Sequence, residues 1–205
     1  MRLAYSPNSP YVRKVLICTD ELGLLDQITC EAVQVSPTEP NSQFSQHGNP
    51  LSKIPALTLD DGRVLYDSGV ICEYLDNLDG QQRLIPAGEQ HWSVLTQHQL
   101  ASGMVDALLL LRYEVALRPA ERRWQQWVDG QQFKVRAALN YFEQQIELLH
   151  FEQHLQLHHI ALGCALGYLD FRFADMPWRP DYPALAAWFE PLNQRPSFVR
   201  SAPPQ

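Results

Sequence analysis

Every strand-like run of this chain falls within its first 66 residues, and that division constrains the fold more than any other feature. The runs are Arg2–Tyr5, Gln27–Val33, Ala56–Leu59 and Arg63–Tyr66, each short, mostly apolar and bounded by turn residues. The last two flank Asp60-Asp61-Gly62, which predicts a tightly turned hairpin. A helical pattern follows the first run, apolar at Val12, Val15, Leu16 and Leu22 with polar residues between. A short helix is expected near Asn41–Gln46, inside a loop rich in proline, and another over Val70–Leu75 behind the caps Asp67-Ser68. The resulting order is β-α-β-α-β-β-α. Its first two strands, joined by a helix, should be parallel, with the hairpin completing the sheet.

Residues Asp76 to Gly88 are polar, carry Gly80, Pro86 and Gly88, and predict a linker. Beyond them the strand signal disappears. Helices are expected over 89–117, 119–149, 157–174 and 183–194, with Pro119 dividing the first two because proline is tolerated at a helix start and not inside one. The spacing therefore predicts an α/β domain over residues 1–77, a linker over 78–88 and an all-α domain over 89–205. No repeat of 20–50 residues interrupts this plan.

The function classes narrow next. A formal net charge of −7 argues against nucleic acid or an anionic membrane surface as the main partner. No apolar run approaches the ~20 residues that span a bilayer. The N-terminus passes straight into a strand with no signal-peptide pattern, so a cytoplasmic location is expected. Cys18, Cys30, Cys72 and Cys164 form no C-x-x-C pair and are expected as small core residues in a reducing compartment, neither disulfides nor metal ligands. No metal cofactor is expected.

Three stretches carry chemistry. Ser9 falls at the N-cap of the first helix and Pro10 at its first position. A hydroxyl beside unpaired N–H groups at the positive end of a helix is a place to hold an anion. In Asn49-Pro50-Leu51-Ser52-Lys53-Ile54-Pro55, Pro55 leads directly into a strand and is a candidate for a cis bond. That bond would turn the N–H and C=O of Ile54 outward to pair with an extended peptide. Asp67-Ser68 offers a carboxylate for an ammonium and a helix N-terminus for a carboxylate. Each stretch also has an ordinary structural use: a helix start, a loop proline, a cap. Together they describe a site for a short peptide bearing a thiol, an amino group and carboxylates.

Ser-Pro-Tyr-x-Arg-Lys, then Asn-Pro-Leu-x-Lys-Ile-Pro-Ala-Leu, then Leu-Tyr-Asp-Ser-x-x-Ile-x-x-Tyr-Leu, resembles the thioredoxin-like domain of the glutathione S-transferases. The helical remainder is similar to that family's C-terminal domain. Ala101–Ala107 and Ala165–Arg172 resemble a bacterial subgroup of undefined substrate. The resemblance implies a thioredoxin-like domain followed by an all-α domain, usually as a homodimer. It implies glutathione as co-substrate and a small apolar electrophile held against the second domain. Mapped onto this chain, it has Ser9 hydrogen-bonding the glutathione sulfur, with Asn8 as runner-up and Ser6 behind it. Ile54, before Pro55, would pair with the cysteinyl part, Asp67 and Ser68 would hold the γ-glutamyl end, and Lys53 would reach a carboxylate. Asp106 and Tyr113 are expected either to look into the cleft between domains or to face solvent or a subunit interface.

The implied activity is glutathione transfer. The alternatives are glutathione-dependent disulfide or peroxide reduction and a non-catalytic binding or regulatory role. Ser9-Pro10-Tyr11 stands where glutaredoxin-like relatives have Cys-Pro-Tyr, which disfavours redox chemistry through an enzyme thiol. A free thiol has a pKa of about 8.5, and a hydrogen bond to the thiolate plus a helix N-terminus lowers that by roughly a unit or two.

Four further expectations concern the helical part. The family's Ser/Thr-x-x-Asp at the start of its buried helix is replaced by Gln156 and His159, so a helix start poorer by ~1 kcal/mol is expected. The histidines 150, 154, 158 and 159, with Glu152 and Gln153, lack the His-Glu-x-x-His order and read as a solvated connection. Trp124 and Trp127 beside Arg122-Arg123 read as an amphipathic stripe turned to the core. Arg112 and Glu114 receive no role.

Overall fold

The computed structural model describes residues 1–151 and 154–204. Four strands, β1 (Arg2–Tyr5), β2 (Thr29–Ala32), β3 (Ala56–Thr58) and β4 (Val64–Tyr66), form one sheet in the order β2-β1-β3-β4. β1 and β2 run parallel, with Leu3 opposite Cys30, and the crossover between them is α1 (Pro10–Glu21). β3 is antiparallel to both β1 and β4, with Ala4 opposite Ala56 and Ala56 opposite Tyr66. α2 (Ser42–His47) and α3 (Ser68–Asp76) complete the N-terminal region in the expected order. This is the thioredoxin-like α/β arrangement that the sequence implied.

The helical region contains α4 (Glu89–Ala116), α5 (Gln125–Gln144), α6 (Leu157–Arg172), α7 (Pro183–Asn193) and α8 (Pro196–Arg200). α6 is buried along nearly its whole length and packs against both α4 and α1. The core runs unbroken from Leu3, Val15 and Ile71 under the sheet to Leu108, Leu162 and Phe189 among the helices. The stretch read as a linker is pinned: the buried Asp76 carboxylate accepts from the N–H groups of Leu84 and Ile85, each at 2.9 Å. The Leu84 carbonyl in turn accepts from the Leu157 N–H at 2.9 Å, tying it to the start of α6.

Several expectations need correction. The single helix expected over 119–149 is three pieces, because α5 is flanked by 3-10 turns at Ala120–Arg122 and Ile146–Leu149. Glu114 organises the first break, accepting from Arg118 Nε at 2.7 Å and from the Trp124 N–H at 3.0 Å. Trp124 and Trp127 do not join the core. α5 turns Val128, Gln131, Val135 and Phe142 inward; Trp127, on the same side but in the first turn, is 39 % exposed, and Trp124 precedes the helix and is 61 % exposed. Cys30 is exposed too, since β2 is an edge strand whose four residues all face solvent, whereas Cys18, Cys72 and Cys164 are buried.

The histidine connection is not solvated throughout. His158 and His159 are buried, their rings 3.8 Å apart, and His159 sits near Phe151 and Trp188. Glu152 and Gln153 lie outside the described residues. His159 also rebuilds the α6 start: its Nδ1 accepts from the Gln156 N–H at 3.0 Å, forming a capping box where a weak start was expected.

Candidate functional site

The strand register gathers the three sequence stretches at one end of the sheet. Ala4, Ala56 and Tyr66 lie side by side, so the chain leaving β1, entering β3 and leaving β4 emerges at the same edge. From that edge hang Ser6–Ser9, Ile54-Pro55 and Asp67-Ser68.

Ser9 caps α1, its hydroxyl oxygen accepting from the Val12 N–H at 3.3 Å. The Arg13 N–H donates to the Ser9 carbonyl at 2.9 Å and Pro10 has no N–H, so the Tyr11 N–H is the donor of this first turn with no partner among the described residues. As an acceptor toward the helix, the Ser9 hydroxyl keeps its own proton available to donate outward. Asn8 is exposed and Ser9 half-buried; both border a shallow, open cleft between α1 and α6, with Tyr168, Phe171 and Pro203 on its far side.

The Ile54–Pro55 bond is cis, and neither the N–H nor the C=O of Ile54 has a backbone partner among the described residues. Asn49 shapes this loop, accepting from the Leu51 N–H and donating to the Lys53 carbonyl, both at 3.0 Å. The Lys53 side chain stands exposed. Asp67 has φ 72, an uncommon value for a residue with a side chain, and its carboxylate accepts from the Gly69 N–H at 2.7 Å. Strained residues persist where surrounding bonds over-determine them, and here the bond fixes the turn into α3. Ser68, next to it, is buried.

Behind these loops lie groups to which the sequence reading assigned no role. Lys14 is 3 % exposed; its ammonium donates to His98 Nε2 at 2.9 Å and to Ser102 Oγ at 3.3 Å. Burial first, then Lys14, holds His98 down at about 3, so the ring is neutral. His98 itself abuts the start of α3: a Cβ on Gly69 would stand 3.1 Å from its Cε1. Arg13 is buried as well, donating to the Phe198 carbonyl at 3.2 Å. Its guanidinium lies so close under Gly167 that a Cβ there would fall 2.3 Å from Nη1, which explains the glycine. Neither cation has a carboxylate within ion-pair distance among the described residues. No alternation or motif marks Lys14 and His98 as partners, since they are 84 positions apart in sequence.

Asp106 and Tyr113 are not among the residues lining this cleft; Asp106 instead meets α1, and Tyr113 is 37 % exposed. The Tyr11 hydroxyl donates to the Asp106 carboxylate, a short contact between α1 and α4. Burial and then this bond raise the Tyr11 hydroxyl far above its ordinary value, with Tyr113 adding to the effect. Cys164, the thiol bordering the cleft, is pushed up to about 11 by burial, against the pull of Arg13 and Lys14. It stays protonated at neutral pH and offers no enzyme thiolate. Among the described residues no group of three or more His, Cys, Asp or Glu side chains is placed to hold a metal, and no helix is long and apolar enough to cross a membrane.

Comparison with known proteins places this geometry. Residues 3–83 match the glutathione S-transferase N-terminal domain and residues 125–190 the C-terminal domain. The chain is 32 % identical over 207 residues, the whole of both chains, to the uncharacterized GST-like protein YibF of Escherichia coli K12. A glutathione transferase family member from Pseudomonas fluorescens Pf-5, solved with bound glutathione, is 48 % identical with a TM-score of 0.94, covering 100 % of this chain and 99 % of that one. A second structure from the same organism, at 47 % identity and a TM-score of 0.90 over 99 % of each chain, holds S-(propanoic acid)-glutathione.

Proposed function

The chain belongs to the glutathione S-transferase family, and we propose that it is a glutathione transferase, activating the glutathione thiol for attack on a small electrophile. The observation that carries this reading is Ser9. Its hydroxyl accepts from α1 through the Val12 N–H and so has a proton left to donate to a sulfur anion at the positive end of the helix. The buried cations Arg13 and Lys14 follow on the next turn and favour the same anion. The thiolate's electron pair forms the new S–C bond, and the leaving group departs with the pair of the bond that breaks.

In this reading Ser9 rather than Asn8 meets the sulfur, Ile54 pairs through its backbone with the cysteinyl part, and Asp67, Ser68 and Lys53 hold the charged ends of the tripeptide. Residues 1–77 then serve as the glutathione-binding unit and 89–205 as the unit that shapes the electrophile pocket, joined by 78–88. The proposed setting is cytoplasmic, and the proposed assembly a homodimer; exposed Tyr66, Val70 and Trp92, on β4 and the first turns of α3 and α4, are apolar surface for a second copy.

Glutathione titration of the wild type and of Ser9→Ala and Asp67→Ala, followed by turnover on a panel of aryl halides, activated alkenes, disulfides and peroxides, tests the proposal. Unchanged glutathione binding in both variants would overturn the site. Intact binding with no turnover on any substrate would overturn the activity and leave the non-catalytic role. Turnover confined to disulfides or peroxides would favour the reductase reading, which the buried, protonated Cys164 restricts to the ligand's own thiol.

A further inference from the structure

His98 stands between the two ends of the candidate site. It belongs to α4 and is buried. Its Nε2 lies 2.9 Å from the ammonium of Lys14, on the helix that Ser9 caps. Its Cε1 packs on Gly69, in the first turn of the helix that Asp67 caps. One imidazole therefore touches both helices whose N-termini carry the thiol end and the amino end of the proposed glutathione site.

The state of the ring is fixed by its neighbours. An ammonium has no acceptor, so Nε2 takes this bond as an acceptor and the proton of the neutral ring sits on Nδ1. Ser102, one turn along α4, lies 3.4 Å from the same nitrogen and accepts from Lys14 at 3.3 Å. An apolar pair would fill the same volume without the desolvation cost of a buried ammonium. What the polar pair adds is a ring held in one orientation.

That orientation matters at Gly69. A Cβ there would stand 3.1 Å from His98 Cε1 and 3.1 Å from Asp67 Oδ1. The imidazole and the carboxylate thus flank the space that a side chain at this position would fill, while the carboxylate accepts from the Gly69 N–H at 2.7 Å. Asp67 is exposed and held at φ 72, a conformation that persists where surrounding contacts over-determine it. The ring supplies such a contact from the buried side.

We propose that His98 is a positioning residue for the amino end of the site: oriented by Lys14, its ring backs Gly69 and so holds the Asp67 carboxylate where the γ-glutamyl ammonium of glutathione arrives. His98 acts through Gly69 and Asp67 and touches no ligand itself. The inference rests on the glutathione-binding reading and adds to it a link, through α4, from the helix that receives the thiol to the turn that receives the amine.

Calorimetric titration with two probes tests it: glutathione, and glutaryl-cysteinylglycine, the same tripeptide without its α-amino group. The wild type should bind glutathione roughly tenfold more tightly, as a hydrogen bond between charged groups predicts. In His98→Ala that preference should fall to within about threefold, while affinity for the amine-free probe stays within about twofold of the wild type. His98→Gln, whose amide oxygen can accept from Lys14, should keep most of the preference. Lys14→Met should lower it in the same direction, and serves if His98→Ala does not fold. Any effect of the lost charge on the thiol cancels in the ratio, because both probes carry the same cysteinyl group. Equal weakening of both probes in these two variants, or a preference that both preserve, would overturn the positioning role and leave the glutathione site standing. Equal binding of the two probes by the wild type would overturn the Asp67 contact and this role with it. Failure of the wild type to bind either probe would overturn the glutathione site as a whole.

Discussion

The two ends of α1 are treated in opposite ways. At the C-terminal end, Glu21 pairs with Arg195 through bonds of 2.6 and 2.8 Å and accepts from Ser197 Oγ, while Asp20 pairs with Arg200 at 2.7 and 2.8 Å. These bonds fasten α8 to the first helix of the chain and close the N-terminal region against the helical one. At the N-terminal end, Arg13 and Lys14 are at least as deeply buried, yet meet only a carbonyl, an imidazole, a hydroxyl and an aromatic ring. Burying a charge without a counter-ion is costly, so a fold that gained nothing from it would have placed a carboxylate there, as it did one helix-length away. Charge is neutralised by carboxylates at one end of α1 and left without a carboxylate partner among the described residues at the other, where the proposed function needs a thiolate favoured.

Acid should break that comparison most strongly. His98, His158 and His159 are held at about 3, 4 and 3, each chiefly by burial, so all three are neutral in the fold but take up a proton in the unfolded chain below about 6.5. The unfolded state binds more protons, so stability is complete above pH 6.5 and falls as pH drops toward the folded values. At pH 5 the loss is about 2 kcal/mol for each independent imidazole, several in all. Glu21 behaves otherwise: burial would raise its carboxyl, but Arg195 and Ser197 hold it below the ordinary value, so its contribution is lost only below about pH 4.5. Denaturant midpoints between pH 7.5 and 5 should therefore fall steeply while the clamp stays ionised. A flat profile would show that the imidazoles are reachable by protons in the fold.

Glu21→Ala should act at the other end. It removes both bonds to Arg195 and the acceptor of Ser197, for about 2 kcal/mol of stability, less than a fully buried pair because Arg195 is partly exposed. Glutathione affinity should not move. A large drop in affinity would mean that the clamp sets the cleft's shape rather than only holding α8.

Ser9→Ala should lower stability by about 1 kcal/mol through the lost cap, and raise the thiol pKa of bound glutathione by roughly one unit, near 1.4 kcal/mol. The turnover rate at pH 7 then falls about tenfold and recovers as pH rises past the new pKa. The pH–rate profile separates this from a folding defect, which would lower the plateau without shifting the curve.

The same contrast explains what the sequence made legible. The sheet order, the parallel first pair, the Ser9 cap and the Ile54–Pro55 and Asp67-Ser68 turns are local: each is written in a few consecutive residues whose backbone chemistry has few solutions. The features missed are between elements. Lys14 finds His98 and Tyr11 finds Asp106 only because α1 and α4 approach each other, and helix crossing is not encoded at a fixed spacing. The misread tryptophans and histidines share that cause. Periodicity gives a residue's face on its own helix, while burial depends on what packs there, so Trp124 ends in solvent and His158 in the core. The family resemblance added roles for the local motifs and was silent on the charges behind them.

Tyr11→Phe gives the smallest effect and the sharpest test of which hydroxyl serves the sulfur. Two hydroxyl groups stand at this helix end, two residues apart, and geometry commits them differently. The Ser9 oxygen accepts from α1 and keeps its proton, whereas the Tyr11 proton is already given to Asp106 and, with burial, its loss is made harder still. A donor so engaged has little left for a ligand thiolate. Removing it frees an exposed carboxylate that water can solvate, so stability should fall by no more than about 1 kcal/mol. Turnover should fall at most a few-fold, with no displacement of the pH–rate profile. If instead Tyr11→Phe shifts that profile as far as Ser9→Ala does, the bond to Asp106 must break when glutathione binds, and the sulfur partner is the phenol.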